Sequence, residues 1–311
     1  MPRTAVLVPC YNEEAAIAKV IADFRAVLPG AKIYVYDNNS KDRTVEVARK
    51  AGAIVRQEPL QGKGNVVRRM FADIEADVYV LVDGDATYDA PSAQKMINLL
   101  RRDSLDMVNG ARVTSIKEAY RPGHRFGNWL LTSMVSWIFG SRFTDMLSGY
   151  RVLSRRYVKS FPALSAGFET ETELTVHALE LRMPIGEVAT PYKDRPEGSE
   201  SKLSTFRDGF RILWTIVVLV KEERPMQFFS LCAALFAFVS SALIVPILVE
   251  FMKTGLVPRL PTAVLSMGLM IVAFLCLTCG LILDTVTRGR QEMKRMRYLN
   301  IPAPLDSDRA E

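Results

Sequence analysis

Residues 226–249 and 261–283 form two runs without a single Asp, Glu, Lys or Arg. Each reaches the roughly 20 residues that a helix needs to cross a bilayer. Two core helices of a soluble domain would need a polar face, which neither run carries, and Pro246 near the end of the first is tolerated in a spanning helix. The connecting loop holds Glu250, Lys253 and Arg259, whereas Arg288, Arg290, Lys294, Arg295 and Arg297 follow the second run. The excess of cations after the pair predicts a hairpin with both ends in the cytosol.

The 311 residues are 49% hydrophobic yet 24% charged, and most of the apolar excess lies after residue 225. That split predicts a soluble domain over 1–205, a juxtamembrane amphipathic helix over 206–225, a transmembrane hairpin over 226–287 and a basic cytosolic tail over 288–311. The N-terminus enters a strand almost at once, with no charged-then-apolar leader, which places the first domain in the cytosol. Its pattern alternates. Strands are expected at 4–8, 33–36, 53–56, 78–82, 106–113 and 185–189, and helices at 13–28, 42–50, 61–75 and 91–102. Alternation of this kind argues an α/β fold with a mostly parallel sheet and right-handed crossovers, flanked by helices. The stretch 126–139 is apolar on nearly every side but too short to span, so a helix over about 124–140 lies either at the membrane interface or in a core.

A formal net charge of +6 could point to nucleic acid, but no stripe of cations with interleaved aromatics occurs. The cations cluster beside the apolar runs, where anionic lipid head groups would meet them, and no nucleic-acid partner is expected. Four cysteines, three of them in the apolar runs, make neither a disulfide framework nor a zinc site. With only His124 and His177, histidine clusters and histidine-dependent triads are excluded, so chemistry must rest on carboxylates, cations and metal.

The acidic residues concentrate where such chemistry is expected. The run 78–82 empties directly into Asp83, Gly84 and Asp85, which sets two carboxylates at the carboxyl end of a strand, where open α/β sheets bind ligands. Gly84 lets backbone approach closely, and the pair suits a hard divalent cation held against a diphosphate. An acidic turn capping the next helix is the plain alternative. An EF-hand is excluded, because Tyr88 and Gln94 stand where it needs Gly and Glu. Gly62 and Lys63 open a helix without P-loop spacing; backbone amides and Lys63 there either meet a phosphate or simply cap a helix. Glu169, Glu171 and Glu173 fan around a helical start, with one of them facing the cleft or all three acting as dipole partners. The sequence Asn38-Asn39-Ser40 is a glycosylation sequon that a cytosolic domain would not use. The polar loop 192–203 reads as a flap.

Taken in order, Pro9, Tyr11, Asn12 and Glu13, then Asp37 to Ser40, Gly62 to Gly64, Asp83 to Asp85, Asp145 with Ser148 to Arg151, and Arg195 with Ser201 to Leu203 resemble family 2 glycosyltransferases of the GT-A fold. The likeness is greatest to polyprenyl-phosphate and dolichol-phosphate sugar synthases with a two-helix anchor, and it covers the whole chain. The resemblance implies that Pro9, Tyr11, Glu13 and Asp37 hold base and ribose, that Asp83 and Asp85 hold Mg2+ or Mn2+ with the diphosphate, and that Arg112 faces the donor phosphates. It implies that Arg125, Arg195 and Ser201 meet the phosphate of a lipid acceptor, with Lys202 adding charge in the flap. Guanidinium groups suit that task through forked bonds. Many such enzymes follow their D-A-D with Leu and Gln, the Gln completing the metal shell. Here Ala86 and Thr87 stand instead, which leaves Thr87, Asp89 or water for that place.

The implied reaction moves a hexose-type sugar from a UDP- or GDP-sugar onto polyprenyl or dolichyl phosphate, inverting the anomeric centre, with Asp85, Arg125, Arg195 and Lys202 at the reacting groups. The resemblance also implies a homo-oligomer. A processive polysaccharide synthase would add a Q-x-x-R-W element and further spanning helices, and a non-catalytic sugar-nucleotide-binding scaffold would not need these charged residues.

Overall fold

The computed structural model describes residues 2–113, 144–163, 170–193 and 217–303, with Ser133 and Trp214 as single residues between them. The expected helix over 124–140 and the flap residues from Asp194 onward lie outside the described residues, as do Glu169, Arg125, Arg195, Ser201 and Lys202. The chain divides into two compact units, one of residues 1–212 with 294–311 and one of residues 213–293.

The first unit is built on a seven-stranded sheet in the order β3-β2-β1-β4-β6-β5-β7. Its elements are β1 (Thr4–Cys10), α1 (Ile17–Val27), β2 (Lys32–Asp37), α2 (Thr44–Lys50), β3 (Ile54–Gln57), α3 (Lys63–Asp73), β4 (Val78–Leu81), α4 (Ser92–Arg102), β5 (Met107–Val113), β6 (Arg151–Ser154), α5 (Arg155–Ser160), α6 (Thr170–Glu180) and β7 (Ile185–Pro191). Strand β1 is inner and carries Val6, Leu7 and Val8 in succession, all wholly buried. A continuous apolar run is what a strand covered on both faces requires. Helix α1 turns Ile17, Val20, Ile21 and Phe24 inward at helical spacing, and Phe24 meets Tyr150 edge-on at 6.1 Å. Each such buried aliphatic side chain contributes about 1.5–3 kcal/mol.

The sheet is mostly parallel, as alternation foretold, with one strand reversed. Four pairings are parallel, and β6 runs antiparallel to both β4 and β5. The cause is local. The Ser148 hydroxyl donates to the Gly110 carbonyl at 2.6 Å and the Asn109 amide to the Asp145 carbonyl at 2.8 Å. These bonds bring the chain back to the sheet at the edge where β5 leaves it, and a strand entered from that edge must run the other way. The sequence reading had no helix at α5, a six-residue element whose Ser154 hydroxyl accepts from the Tyr157 amide, an ordinary N-cap.

Under the sheet, His177 is enclosed by Tyr157 and Phe161 and hydrogen-bonded through Nε2 to Ser160 at 3.2 Å. Burial, with the Lys294 charge adding to it, pushes its pKa down to about 3. The folded state therefore keeps His177 neutral where the unfolded chain takes up a proton. Stability is complete above the ordinary histidine value and falls as pH drops from about 6.5 toward 3, by about 2 kcal/mol at pH 5. A His177→Gln variant is expected to flatten that slope in melts between pH 7 and 5.

The same unit includes the end of the chain's last helix. Lys294 forms an ion pair with Glu180 at 2.6 Å, and the Glu180 side chain is fully enclosed. Tyr298 donates to Asp106 at 2.6 Å, Arg156 lies over the Tyr298 ring, and Arg297 bonds the Lys159 carbonyl. The segment after the apolar runs is thus part of the sheet-containing unit.

The second unit consists of α7 (Pro225–Thr254) and most of α8 (Leu260–Leu299), preceded by helical residues 217–223. Both long helices have the length and composition to cross a membrane. The apolar run ending at Leu283 continues as one helix through the basic cluster. Gly255 ends α7 in the left-handed region, at φ 70°, as helix C-termini often do. The two long helices are joined by reciprocal bonds between Ser240 and Ser266, and Arg290 of α8 pairs with Glu223 in the preceding helical residues at 2.7 Å. At Gly280 an added Cβ would stand 3.1 Å from Phe229, so small residues let the helices approach. Leu231, Phe238, Met252 and Phe274 point outward, each more than half exposed.

Candidate functional site

Because β1, β2 and β4 are parallel neighbours and β5 runs the same way beyond β6, their carboxyl ends share one edge of the sheet. That edge receives Pro9, Tyr11 and Glu13 after β1, Asp37 at the end of β2, Gly62 and Lys63 at the start of α3, Asp83 to Asp85 after β4, and Arg112 at the end of β5. The described part of the sequence-derived set is therefore gathered in one region.

The loops are stitched side by side. Asn12, at φ 53°, receives no steric help from its side chain but accepts from the Lys41 amide at 2.8 Å, and its own amide donates to Ser40. The Glu13 amide donates to Thr44 and the Ser40 amide to Asp37. Asn38 is buried, donates to the carbonyls of Glu58 and Leu60, and accepts from the Gly62 amide at 2.7 Å. Its amide is fully engaged in fixing the turn before α3, which leaves nothing for a sugar chain to be attached to.

In the acidic turn, Ala86 adopts φ 59°, a conformation unusual without glycine and one that costs energy. It is held from both sides. Asp85 Oδ1 accepts from the Thr87 hydroxyl at 2.6 Å and from its amide at 3.2 Å, and the Lys193 amide donates to the Thr87 carbonyl. Asp85 is 4% exposed, so its position is fixed. Asp89 Oδ2 accepts from the Ser92 amide and hydroxyl at the start of α4. Both groups considered for the missing Gln thus have other work: Thr87 orients Asp85, and Asp89 caps a helix.

Asp83 faces a cation. The Lys63 ammonium is paired with Asp83 and, at 2.5 Å, with Glu171 Oε1 at the start of α6. Burial works against that charge, but the two carboxylates outweigh it and raise the lysine above its ordinary value. Glu171 Oε2 is buried and has no hydrogen-bond partner among the described residues. Among the described residues Glu171 thus meets the site through Lys63, a contact that two-residue spacing could not assign. Arg112 forms a two-point ion pair with Asp145, at 2.6 and 2.8 Å, and lies 5.6 Å from the Tyr192 ring centre.

Gly149 and Arg151, part of the family motif in the sequence but given no role there, complete the wall. Gly149 lies against Asp83, where an added Cβ would stand 2.9 Å from Cγ. Its amide donates to the Tyr88 hydroxyl at 2.9 Å. Arg151, wholly buried, bonds the carbonyls of Ser148, Met146 and Glu171, tying the Gly149 turn to the first turn of α6.

Residues 5–160 match the family described as Glycosyl transferase family 2. Glycosyltransferase AglJ of Haloferax volcanii is 32% identical over 301 residues, covering 94% of this chain and 97% of its own. The dolichyl-phosphate hexose transferase of the same organism is 33% identical over 221 residues, covering 71% of this chain and 95% of its own. Among solved structures, glucosyl-3-phosphoglycerate synthase of Mycobacterium tuberculosis, in complex with Mn2+, UDP and glucosyl-3-phosphoglycerate, matches with a TM-score of 0.57 at 22% identity, covering 71% of this chain and 79% of its own. That likeness concerns the fold alone, a GT-A sheet flanked by helices. With half the sequence inside the family match and one relative aligned over nearly its whole length, the chain belongs to glycosyl transferase family 2 and is a glycosyltransferase.

Proposed function

We propose that this glycosyltransferase moves a hexose from a UDP- or GDP-sugar onto a polyprenyl or dolichyl phosphate at a membrane surface, with a divalent cation and inversion of the anomeric centre. The observation that carries the reading is the placement of Asp83 and Asp85 at the edge that also gathers Asp37 and Lys63. The printed name of one relative, a dolichyl-phosphate hexose transferase, supports the acceptor class. The two apolar helices supply a reason for it, since an isoprenoid stays in the bilayer and its partner must work beside it.

The donor set fits Mg2+ or Mn2+: two carboxylates with Gly84 between them offer hard oxygen ligands, and Asp83 already sits opposite a positive charge. Asp83 and Asp85 would hold the ion, which when bound would neutralise charge on the departing diphosphate. Pro9, Tyr11, Glu13 and Asp37 would hold the nucleoside, and Lys63 would meet the diphosphate. Arg112, bound to Asp145, would present its outer face to the donor. Arg125, Arg195, Ser201 and Lys202 are assigned to the acceptor phosphate by their sequence positions alone. A phosphate-monoester oxygen then attacks the anomeric carbon as the bond to the nucleoside diphosphate breaks. The second ionisation of such a monoester lies near about 6, so no general base is required. His177, neutral and enclosed, is consistent with that.

The domain reading places 1–205 as the catalytic part, on the cytosolic side with both termini. The sheet-containing unit includes segments from before and after the apolar pair, which supports an even number of crossings. Membranes carrying the protein, supplied with radiolabelled UDP- and GDP-sugars and a polyprenyl phosphate, should pass label into lipid with one donor and not without divalent metal. No transfer from any donor would reject the reading in favour of the scaffold, and label in long polymer would favour the processive synthase.

Gly149→Ala tests the wall of the site. The new methyl must displace the Asp83 carboxylate, so transfer should fall by about 10²-fold, the scale seen when one stabilising group is misplaced. Mn2+ titration should locate the defect in donor binding.

A further inference from the structure

We propose that Glu171 is a positioning residue that retains Lys63 when Asp83 turns to a divalent cation, so that ammonium and metal face the diphosphate together instead of competing for one carboxylate. The inference rests on the donor reading above and deepens it.

Lys63 stands on Asp83, the carboxylate assigned to the metal. An ammonium and a divalent cation repel each other and cannot share one carboxylate oxygen at hydrogen-bond distance. Lys63 occupies Oδ1 of Asp83 and Oδ2 lies against Gly149, so a divalent cation that takes Oδ1 displaces the lysine. The Lys63 side chain is only 12% exposed, and a buried ammonium without a counter-charge is strongly unfavourable. Glu171 removes that obstacle. It already holds the same ammonium through Oε1, while Oε2 is buried with no hydrogen-bond partner among the described residues. A lysine leaving Asp83 can fill that second acceptor without entering water.

Asp83 and Glu171 are also unequal in the way the exchange needs. The Asp83 side chain is 29% exposed and the Glu171 side chain 8%. The Glu171 carbonyl is pinned by Arg151 at 2.9 Å and by Thr175 at 3.1 Å. The fixed partner is thus the enclosed one, and the partner to be exchanged is the open one.

Mn2+ binding to the detergent-solubilised full chain, read from the paramagnetic resonance of the free ion, separates the possibilities without measuring transfer. Lys63→Met should tighten nucleotide-free Mn2+ binding about tenfold, and Glu171→Gln, with Lys63 present, should weaken it about tenfold, both within the usual range of coupling between touching groups. In the Lys63→Met background Glu171→Gln should have no effect, because Glu171 acts through the lysine. Glu171→Asp, which keeps the charge, should recover part of the loss. An equal loss from Glu171→Gln with and without Lys63, no loss in either, or no recovery with Asp would overturn the proposal. Wild-type protein that binds no Mn2+ with either UDP or GDP would instead reject the metal-dependent donor reading beneath it.

Discussion

Asp85→Asn is expected to lower transfer by about 10³-fold, the upper range for removing one charge-stabilising group from a transferase site. The substitution isolates charge from shape. Asn can still accept from the Thr87 hydroxyl and amide, the two bonds that hold the turn with Ala86 in its left-handed conformation. The melting temperature should therefore stay close to wild type while metal-supported donor binding collapses. Both are read on the same preparation, by thermal melt and by titration with UDP or GDP in the presence of Mn2+. Turnover within tenfold of wild type would remove Asp85 from the group that bears the diphosphate charge. Thr87→Val makes the complementary change, keeping the charge and freeing its direction, and should cost less.

The second large effect concerns stability. Arg151→Met should destabilise the protein by about 3–5 kcal/mol, because it leaves several buried carbonyls without donors. Arg151 is the largest fully enclosed side chain among the described residues. Burial pulls its pKa below the usual arginine value, and it donates to main-chain oxygens of Met146, Ser148 and Glu171 and to the Met107 sulfur. Methionine fills similar space but supplies no donor. Lysine should rescue little, since one ammonium cannot imitate a planar fork that reaches two chain segments at once. At the usual proportion for a unit of this size, the melting temperature should drop by about 10 °C.

Much of the sheet could be read from the chain because its signals are local. Val6 to Val8 and Val78 to Val82 are apolar runs followed at once by polar turns, and α1 repeats its apolar residues at 17, 20, 21 and 24. The direction of β6 could not be read that way. Four residues, Arg-Val-Leu-Ser, carry no sign of direction; it is set by Ser148 reaching Gly110, 38 positions away. The site divides along the same line. Asp83 and Asp85 are marked by the strand that delivers them, whereas the partner that holds Lys63 beside Asp83 lies 108 positions on. Arg112 looks like a free cation in the sequence, and only the folded chain reveals Asp145 beneath it. Gly149 and Thr87 are ordinary residues whose importance lies in what touches them.

The pairing of Lys294 with Glu180 and of Tyr298 with Asp106 bears on the order in which the protein is made. A ribosome delivers β1 through β7 first, then both greasy helices, and only afterwards the few residues that close over two enclosed carboxylates. Until that last turn emerges, Asp106 and Glu180 wait for their final partners, so closure of the sheet-containing unit follows synthesis of both apolar helices. A chain terminated before residue 294, however convenient for crystallisation, would leave that closure undone.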